Sequence, residues 1–280
     1  MKENHLTPEQ SELGKKTEYN PYYNPNKLFS ISRKSKRDEI GIPDNNLPFF
    51  GFDLWNHYEV SWLNEKGKPV VALGEIIYGC NTRDIIESKS MKLYFNSLNN
   101  TNFKDEEAVQ AIVKKDIEEL VGSTVSVKII PVNHLNDNKL FAGFQGECLD
   151  ELDIQCSLYT VEPSLLKIEE ENVEETLFSN LLKSNCLVTN QPDWGSVQIS
   201  YKGKKINREG LLQYIISFRN HNEFHEQCIE RIFMDIMKYC KPEELTIYGR
   251  YTRRGGLDIN PYRSTKHIPE NLENIRLCRQ

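Results

Sequence analysis

Two stripes of apolar residues at helical spacing constrain this chain more than any other feature. Over residues 105–121 they are Val109, Ile112, Val113, Ile117, Leu120 and Val121. Over residues 223–240 they are Phe224, Cys228, Ile232, Phe233, Ile236 and Met237. Both predict a helix with one buried face, stopped by Gly122 in the first case and Pro242 in the second. A third helix is predicted from about Arg208, capped by Asn207, with Leu211, Leu212, Ile215 and Ile216 inward. Elsewhere the apolar residues alternate. Tyr58, Val60 and Trp62 lead to a turn at Asn64–Gly67 and a second strand from Val70 to Tyr78. Val125–Ile129, Val197–Tyr201 and Leu245–Tyr251 have the same period of two, the mark of half-buried strands. Lys202-Gly203 is read as a turn. Each half of the chain thus runs hairpin, helical region, strand, which places it in the α+β class.

A chain of 280 residues holds one large domain or two medium ones. The expected division is an N-terminal arm over 1–45, a first module over 46–165 and a second over 166–280. The arm is polar, with Tyr22, Tyr23, Leu28, Phe29 and Ile31 as anchors, and its basic cluster Arg33–Arg37 reads as a solvated face. Residues 161–176, with Pro163 and the acidic run Glu169–Glu175, read as the bridge between modules. A net charge of −6 gives no global attraction to nucleic acid or anionic membrane, and the longest apolar runs fall far short of a membrane span. Seven cysteines without a Cys-x-x-Cys pair make neither a disulfide framework nor a zinc ribbon, so a cytoplasmic location is expected. The first residues also lack the apolar core of a signal peptide.

Four stretches carry groups able to do chemistry. Cys186 precedes Asp193 by seven residues, with the turn-formers Thr189, Asn190, Gln191 and Pro192 between them. A turn there can bring a nucleophilic sulfur and a proton donor to one reacting carbon. Taken alone, the stretch is better read as a buried cysteine and a capping aspartate. His221-Asn222-Glu223-Phe224-His225-Glu226 opens the last long helix; His225 and Glu226 lie off its apolar stripe, suited to a heterocycle edge or simply to solvent. Glu87-Ser88-Lys89-Ser90-Met91-Lys92 offers a carboxylate for ring N–H groups and a lysine for phosphate, and otherwise reads as a charged helix start. Arg253-Arg254-Gly255-Gly256 reads equally as a phosphate cradle and as a glycine turn. Neither a G-x-G-x-x-G nor a Walker loop is present.

Together these stretches resemble the NADPH-dependent 7-cyano-7-deazaguanine reductases, the nitrile reductases of queuosine biosynthesis, in their long two-module branch. The motif of that family stands complete as Glu87-Ser88-Lys89-Ser90-Met91-Lys92-Leu93-Tyr94. Ser184–Cys186 through Pro192–Gly195, Phe218–Glu226 and Tyr251–Pro261 also fit, and the likeness runs from about Lys15 to Ser264. The resemblance implies a tunnelling fold, with two modules that are each an antiparallel sheet carrying a helix pair, in a homodimer. It implies that Cys186 attacks the nitrile carbon to form a thioimide, that Asp193 protonates the nitrogen and that His225 assists. Glu87 and Glu226 would hold the deazapurine, Ile86, Ser88 and His225 would line its pocket, and Ser88, Lys89, Arg254 and Gly255 would contact NADPH. No metal, membrane or direct nucleic-acid contact is implied.

Two other classes remain open on the residues alone. A zinc-dependent pterin enzyme on the same fold would need three ligands, nominally Cys186, His221 and His225. A tRNA- or purine-binding module would use the basic arm.

Overall fold

The computed structural model describes residues 20–43, 46–132, 142–269 and 273–280. Residues 1–19 of the predicted arm, and with them the start of the family likeness, lie outside the described residues. The protein is α+β, with antiparallel sheets and few helices. The chain divides into two compact units, one of Met1–Lys36, Asp53–Asn138 and Arg253–Asp258, the other of Arg37–Phe52, Lys139–Thr252 and Ile259–Gln280.

In the first unit the arm enters as β1 (Ser30–Ser32), which leads into α1 (Lys34–Glu39). The predicted hairpin is β2 (Phe50–Leu63) and β3 (Pro69–Gly79), closed where Asn64 N donates to Lys68 O at 2.9 Å and Gly67 takes φ +76°. β4 (Asp84–Ile86) pairs antiparallel with β1, setting Ser30 opposite Ile86. Two helices follow, α2 (Ser88–Asn96) and α3 (Glu106–Val121). Asp105 caps α3 by accepting from Ala108 N at 2.9 Å, and Gly122 ends it at φ +65°, a left-handed geometry that favours glycine. β5 (Val125–Pro131) then pairs antiparallel with β3. Val109, Val113 and Ile117 of α3 are buried with Ile76, Val125 and Val127 of the sheet, as the two periodicities require.

The basic cluster of the arm is a correction to the sequence reading. Arg33 is buried and ion-paired with Asp53 at 2.5 Å, while its Nε donates to Thr82 Oγ1. In the second unit Arg37 is equally buried, with Nη2 on Glu230 Oε1 at 2.7 Å. Two of the basic residues are therefore structural anchors rather than a solvated face, because each meets a carboxylate far along the chain.

In the longest stretch of the second unit the short β6 (Glu147–Cys148) runs parallel to β7 (Ile168–Ser179). The acidic run read as a bridge is thus a strand. Its partner is β9 (Pro192–Ile206), where Glu174 faces Lys202, and Lys204 and Lys205 pair with Glu170 and Glu169. Opposite charges across the ladder make an acidic, mostly exposed strand tolerable. Lys202-Gly203 does not turn: β9 runs through it, and glycine is required because a Cβ there would come within 3.0 Å of Pro242 Cα. β8 (Lys183–Asn185) pairs with the start of β9. After β9 come α4 (Arg208–Ser217), capped by Asn207 on Gly210 N at 2.9 Å, and α5 (His225–Tyr239). β10 (Glu244–Tyr251) pairs with β9 and with β11 (Leu257–Ser264). Cys228, Ile232, Phe233 and Ile236 of α5 are buried, the stripe read from spacing.

Candidate active site

The turn between β8 and β9 forms as its residue types suggest. Cys186 N donates to Gln191 O at 2.8 Å, Asn190 N returns to Cys186 O at 3.1 Å, and Asn190 sits at φ +55°, a conformation Asn tolerates better than most residues. Ser184 and Asp193 are direct antiparallel partners, so their side chains share a face. Cys186 follows directly after β8, at the start of the turn that leads back to Asp193. Cys186 is 4% exposed and Asp193 6%, so both groups are shielded from solvent.

A second loop is tied to this turn. Asn185 N donates to His221 O at 2.8 Å, Glu223 N donates to Asn185 O at 3.1 Å, and Asn185 Nδ2 meets Asn222 Oδ1. Asn222 in turn donates to Asn190 within the turn itself. Glu223 anchors that loop to α5. Its carboxylate accepts from Arg231 Nη2 at 2.6 Å and Nε at 3.0 Å, and lies 2.9 Å from His221 Nε2. Burial pushes the Glu223 carboxyl up, but the bonds from Arg231 and His221 outweigh it and hold the group below its ordinary value. His221 is thereby committed to Glu223. Among the described residues no cluster of three His, Cys, Asp or Glu side chains has a geometry to hold a metal ion.

This loop delivers the first turn of α5 to the carboxylate. His225 Nε2 lies 3.3 Å from Asp193 Oδ2. The imidazole stacks on the ring of Tyr251, centroids 3.9 Å apart and planes 10° from parallel. Its other nitrogen, Nδ1, is buried without a hydrogen-bond partner among the described residues. Glu226, next along the first turn, is buried, where the helix N-terminus favours its charge. Burial keeps Tyr251 protonated far above the ordinary range, with Cys228 and Asp193 adding to the effect, and burial does the same to the Cys228 thiol. Thus Cys186, Asp193, His225 and Glu226, separate in sequence, are brought into one unit by two interlocked loops. Asn222, Glu223 and Tyr251 fall in stretches singled out in the sequence, but their parts in this arrangement are not legible there. Tyr251 had been legible only as a strand residue, and the Glu223–Arg231 pair, two helical turns apart, gives no local signal.

The remaining candidates lie in the first unit. Ile86 is buried at the end of β4, and Ser88 and Lys89, both half-buried, open α2. Glu87 is the cap of that helix: Oε1 accepts from Lys89 N and Oε2 from Ser90 N, each at 2.7 Å. Burial raises its carboxyl above the ordinary value, and these two bonds partly oppose the shift. Each oxygen retains a second lone pair with which to meet a ligand N–H. The turn Arg253–Gly256 carries two glycines in left-handed geometry. Gly255 and Gly256 take φ +59° and +77°, Arg254 N donates to Leu257 O at 2.8 Å, and a Cβ on Gly255 would stand 3.3 Å from Lys92 Nζ. Arg253 covers the ring of Tyr58.

Comparison with known proteins places the chain in one family. The model described as "Nitrile reductase, 7-cyano-7-deazaguanine-reductase N-term" matches residues 19–129, and that described as "QueF-like protein" matches 192–270. A Legionella pneumophila (strain Lens) protein named NADPH-dependent 7-cyano-7-deazaguanine reductase is 62% identical over 97% of this chain and 95% of its own. One of the same name from Cupriavidus pinatubonensis (strain JMP 134 / LMG 1197) is 55% identical over 96% and 99%. A solved structure, the archaeosine synthase QueF-Like in the apo form, is 14% identical over 36% of this chain and 99% of its own, with a TM-score of 0.31. With identity this high over nearly its whole length, the chain belongs to the NADPH-dependent 7-cyano-7-deazaguanine reductase family.

Proposed function

We propose that this protein reduces the nitrile of 7-cyano-7-deazaguanine to the aminomethyl group of 7-aminomethyl-7-deazaguanine. Each turnover consumes two NADPH and two protons, in the cytoplasmic biosynthesis of queuosine. The proposal includes a homodimer with two tunnelling-fold modules per chain. The observation that carries it is the turn with Cys186 at one end and Asp193 at the other, joined to His225 at 3.3 Å.

A nitrile carbon accepts hydride poorly, and addition of sulfur turns it into a protonatable C=N, splitting one hard step into easier ones. Cys186 Sγ attacks that carbon: a C–S bond forms and one π bond of C≡N opens. The thiol proton passes to His225, and Asp193 gives a proton to the nitrogen, so the His225–Asp193 pair gains one proton and loses one. Glu226 and Glu87 accept hydrogen bonds from the N–H edge of the deazapurine, with Ile86, Ser88 and His225 around it. Once the first hydride has made the carbon tetrahedral and the nitrogen is protonated, the nitrogen lone pair forms C=N as the C–S bond breaks and the sulfur leaves as thiolate. The substrate imine then takes the second hydride and a proton to become the amine, and the thiolate regains its proton from His225.

The donor set of the first unit suits the phosphates of a dinucleotide: Lys89, Arg254 and Lys92 are cationic, and the left-handed Gly255 exposes backbone at the turn. Ser88, Lys89, Arg254 and Gly255 would hold NADPH there. When bound, NADPH supplies the hydrides that the substrate carbon accepts.

The test is NADPH oxidation on addition of 7-cyano-7-deazaguanine, with the amine identified by mass. Cys186→Ala is expected to abolish both turnover and the covalent adduct seen by intact mass. An adduct persisting in that variant would refute the assignment.

A further inference from the structure

We infer that the segment Arg276–Gln280, to which the family likeness assigns nothing, is a positioning brace for the His225–Asp193 pair. The inference rests on the functional reading above, and acts through Tyr251 and Gly195.

The side chain of Gln280 is buried among the strands behind the site and uses both ends of its amide. Its Oε1 accepts from Arg250 Nε at 3.0 Å and Leu277 N at 3.1 Å. Its Nε2 donates to Tyr251 O at 3.1 Å and to Asn260 Oδ1 at 2.8 Å. Asn260 Oδ1 also accepts from Tyr251 N at 3.3 Å. The backbone of Tyr251 is therefore gripped on both polar groups, directly by Gln280 or through the asparagine that Gln280 orients. Arg279 grips the facing strand: Nη2 donates to Gly195 O at 2.9 Å and to Asn180 O at 2.7 Å. Gly195 and Tyr251 are Cα partners across the β9–β10 ladder.

These two held residues form a slot. A Cβ on Gly195 would lie 3.1 Å from Tyr251 Cδ1, so the Tyr251 ring rests on bare backbone on one side. The ring also stacks on the His225 imidazole at 3.9 Å, and that imidazole faces Asp193. Asp193 itself is two residues before Gly195 on the strand that Arg279 holds. Both members of the proton-handling pair are thus referenced to one five-residue segment. Movement of the backbone of Tyr251 or Gly195 would tilt the ring, and the brace opposes that movement. Misplacing reacting groups by about 1 Å is enough to cost roughly 10²-fold in rate.

The test compares Gln280→Leu, Gln280→Glu and Arg279→Met in the full chain. Gln280→Glu keeps an acceptor for Arg250 but loses the donor to Tyr251 O and Asn260. The brace requires Gln280→Leu and Gln280→Glu to lose kcat alike, by roughly tenfold or more, with KM for the nitrile and for NADPH little changed and the pH–rate profile displaced. Arg279→Met should show the same split between kcat and KM. Proton NMR of the imidazoles reads the geometry without activity: the His225 Cε1 proton, shifted by the stacked Tyr251 ring, moves towards its free position in the Gln280 variants. Normal kcat in Gln280→Glu, or an unmoved His225 resonance, overturns the brace. If Gln280→Leu fails to fold, Arg279→Met decides by the same two readings. A wild-type protein inactive on the nitrile would refute the functional reading alone, since the resonance shift still tests the brace.

Discussion

Replacing Glu230 by Gln should be among the most damaging single changes away from the reacting groups. Four N–H donors converge on this carboxylate: Arg37 Nη2 at 2.7 Å and Nε at 3.0 Å, and Arg263 Nη2 at 2.9 Å and Nε at 3.1 Å. Glu230 and Arg263 are essentially inaccessible and Arg37 nearly so. The amide of Gln is isosteric but turns an NH2 towards donors and leaves two guanidinium groups side by side without the charge that balanced them. Breaking a buried ion pair from one side costs about 3–5 kcal/mol. At about 2–4 °C per kcal/mol for a chain of this class, the thermal midpoint should drop by roughly 6–20 °C. Urea unfolding followed by far-UV circular dichroism measures the loss directly. Glu119→Gln is the control: its partner Lys115 is exposed at 3.8 Å, and such pairs contribute about 0–1 kcal/mol. A Glu230→Gln protein within about 1 kcal/mol of wild type would show that the two arginines are stabilised otherwise, and the argument from burial would fail.

Asp193→Asn should retain substrate binding while kcat falls by roughly 10²–10⁴, the usual contribution of a positioned acid; steady-state kinetics showing normal turnover would remove Asp193 from that role. His57, buried beside Lys92, is held down from 6.5 to about 3, chiefly by burial and secondly by the lysine charge. Below pH 6.5 the unfolded chain takes up a proton that the folded chain refuses until about pH 3, so stability falls with falling pH across that window, by up to about 1.4 kcal/mol per pH unit. His57→Gln should flatten the pH dependence of urea unfolding there, and an unchanged slope would count against the neutral, buried imidazole. Gly256→Ala puts a Cβ 2.6 Å from Glu59 Cδ at φ +77°. It should raise KM for NADPH more than KM for the nitrile, and equal effects on both would argue against a cofactor cradle.

Much of this architecture is legible in the sequence because its causes are local. The stripes of α3 and α5, the caps Asp105 and Asn207, and the Asn64–Gly67 turn each depend on residues within a few positions of one another. So does the turn from Cys186 to Asp193. What escaped has distant causes. Arg37 looks solvated until Glu230, 193 residues away, is set beside it. The run Glu169–Glu175 looks like a linker until the lysines of β9 lie across from it. Gly203 reads as a turn residue because the approach of Pro242 leaves no trace in its neighbourhood. Glu87 is legible as a carboxylate at a charged helix start, but the two backbone N–H groups it caps are set only with the helix end in place.

The threading of the chain limits how it can be taken apart. The path changes unit after residues 36, 52, 138, 252 and 258, so no single cut yields two self-sufficient pieces. A fragment starting at Lys139 would keep Glu230 and Arg263 but forfeit Arg37 and Phe49, and would carry six residues, Arg253–Asp258, whose neighbours had been left behind. Gene-splitting, circular permutation or swapping of halves between relatives would have to carry the stretch 37–52 along with the later half.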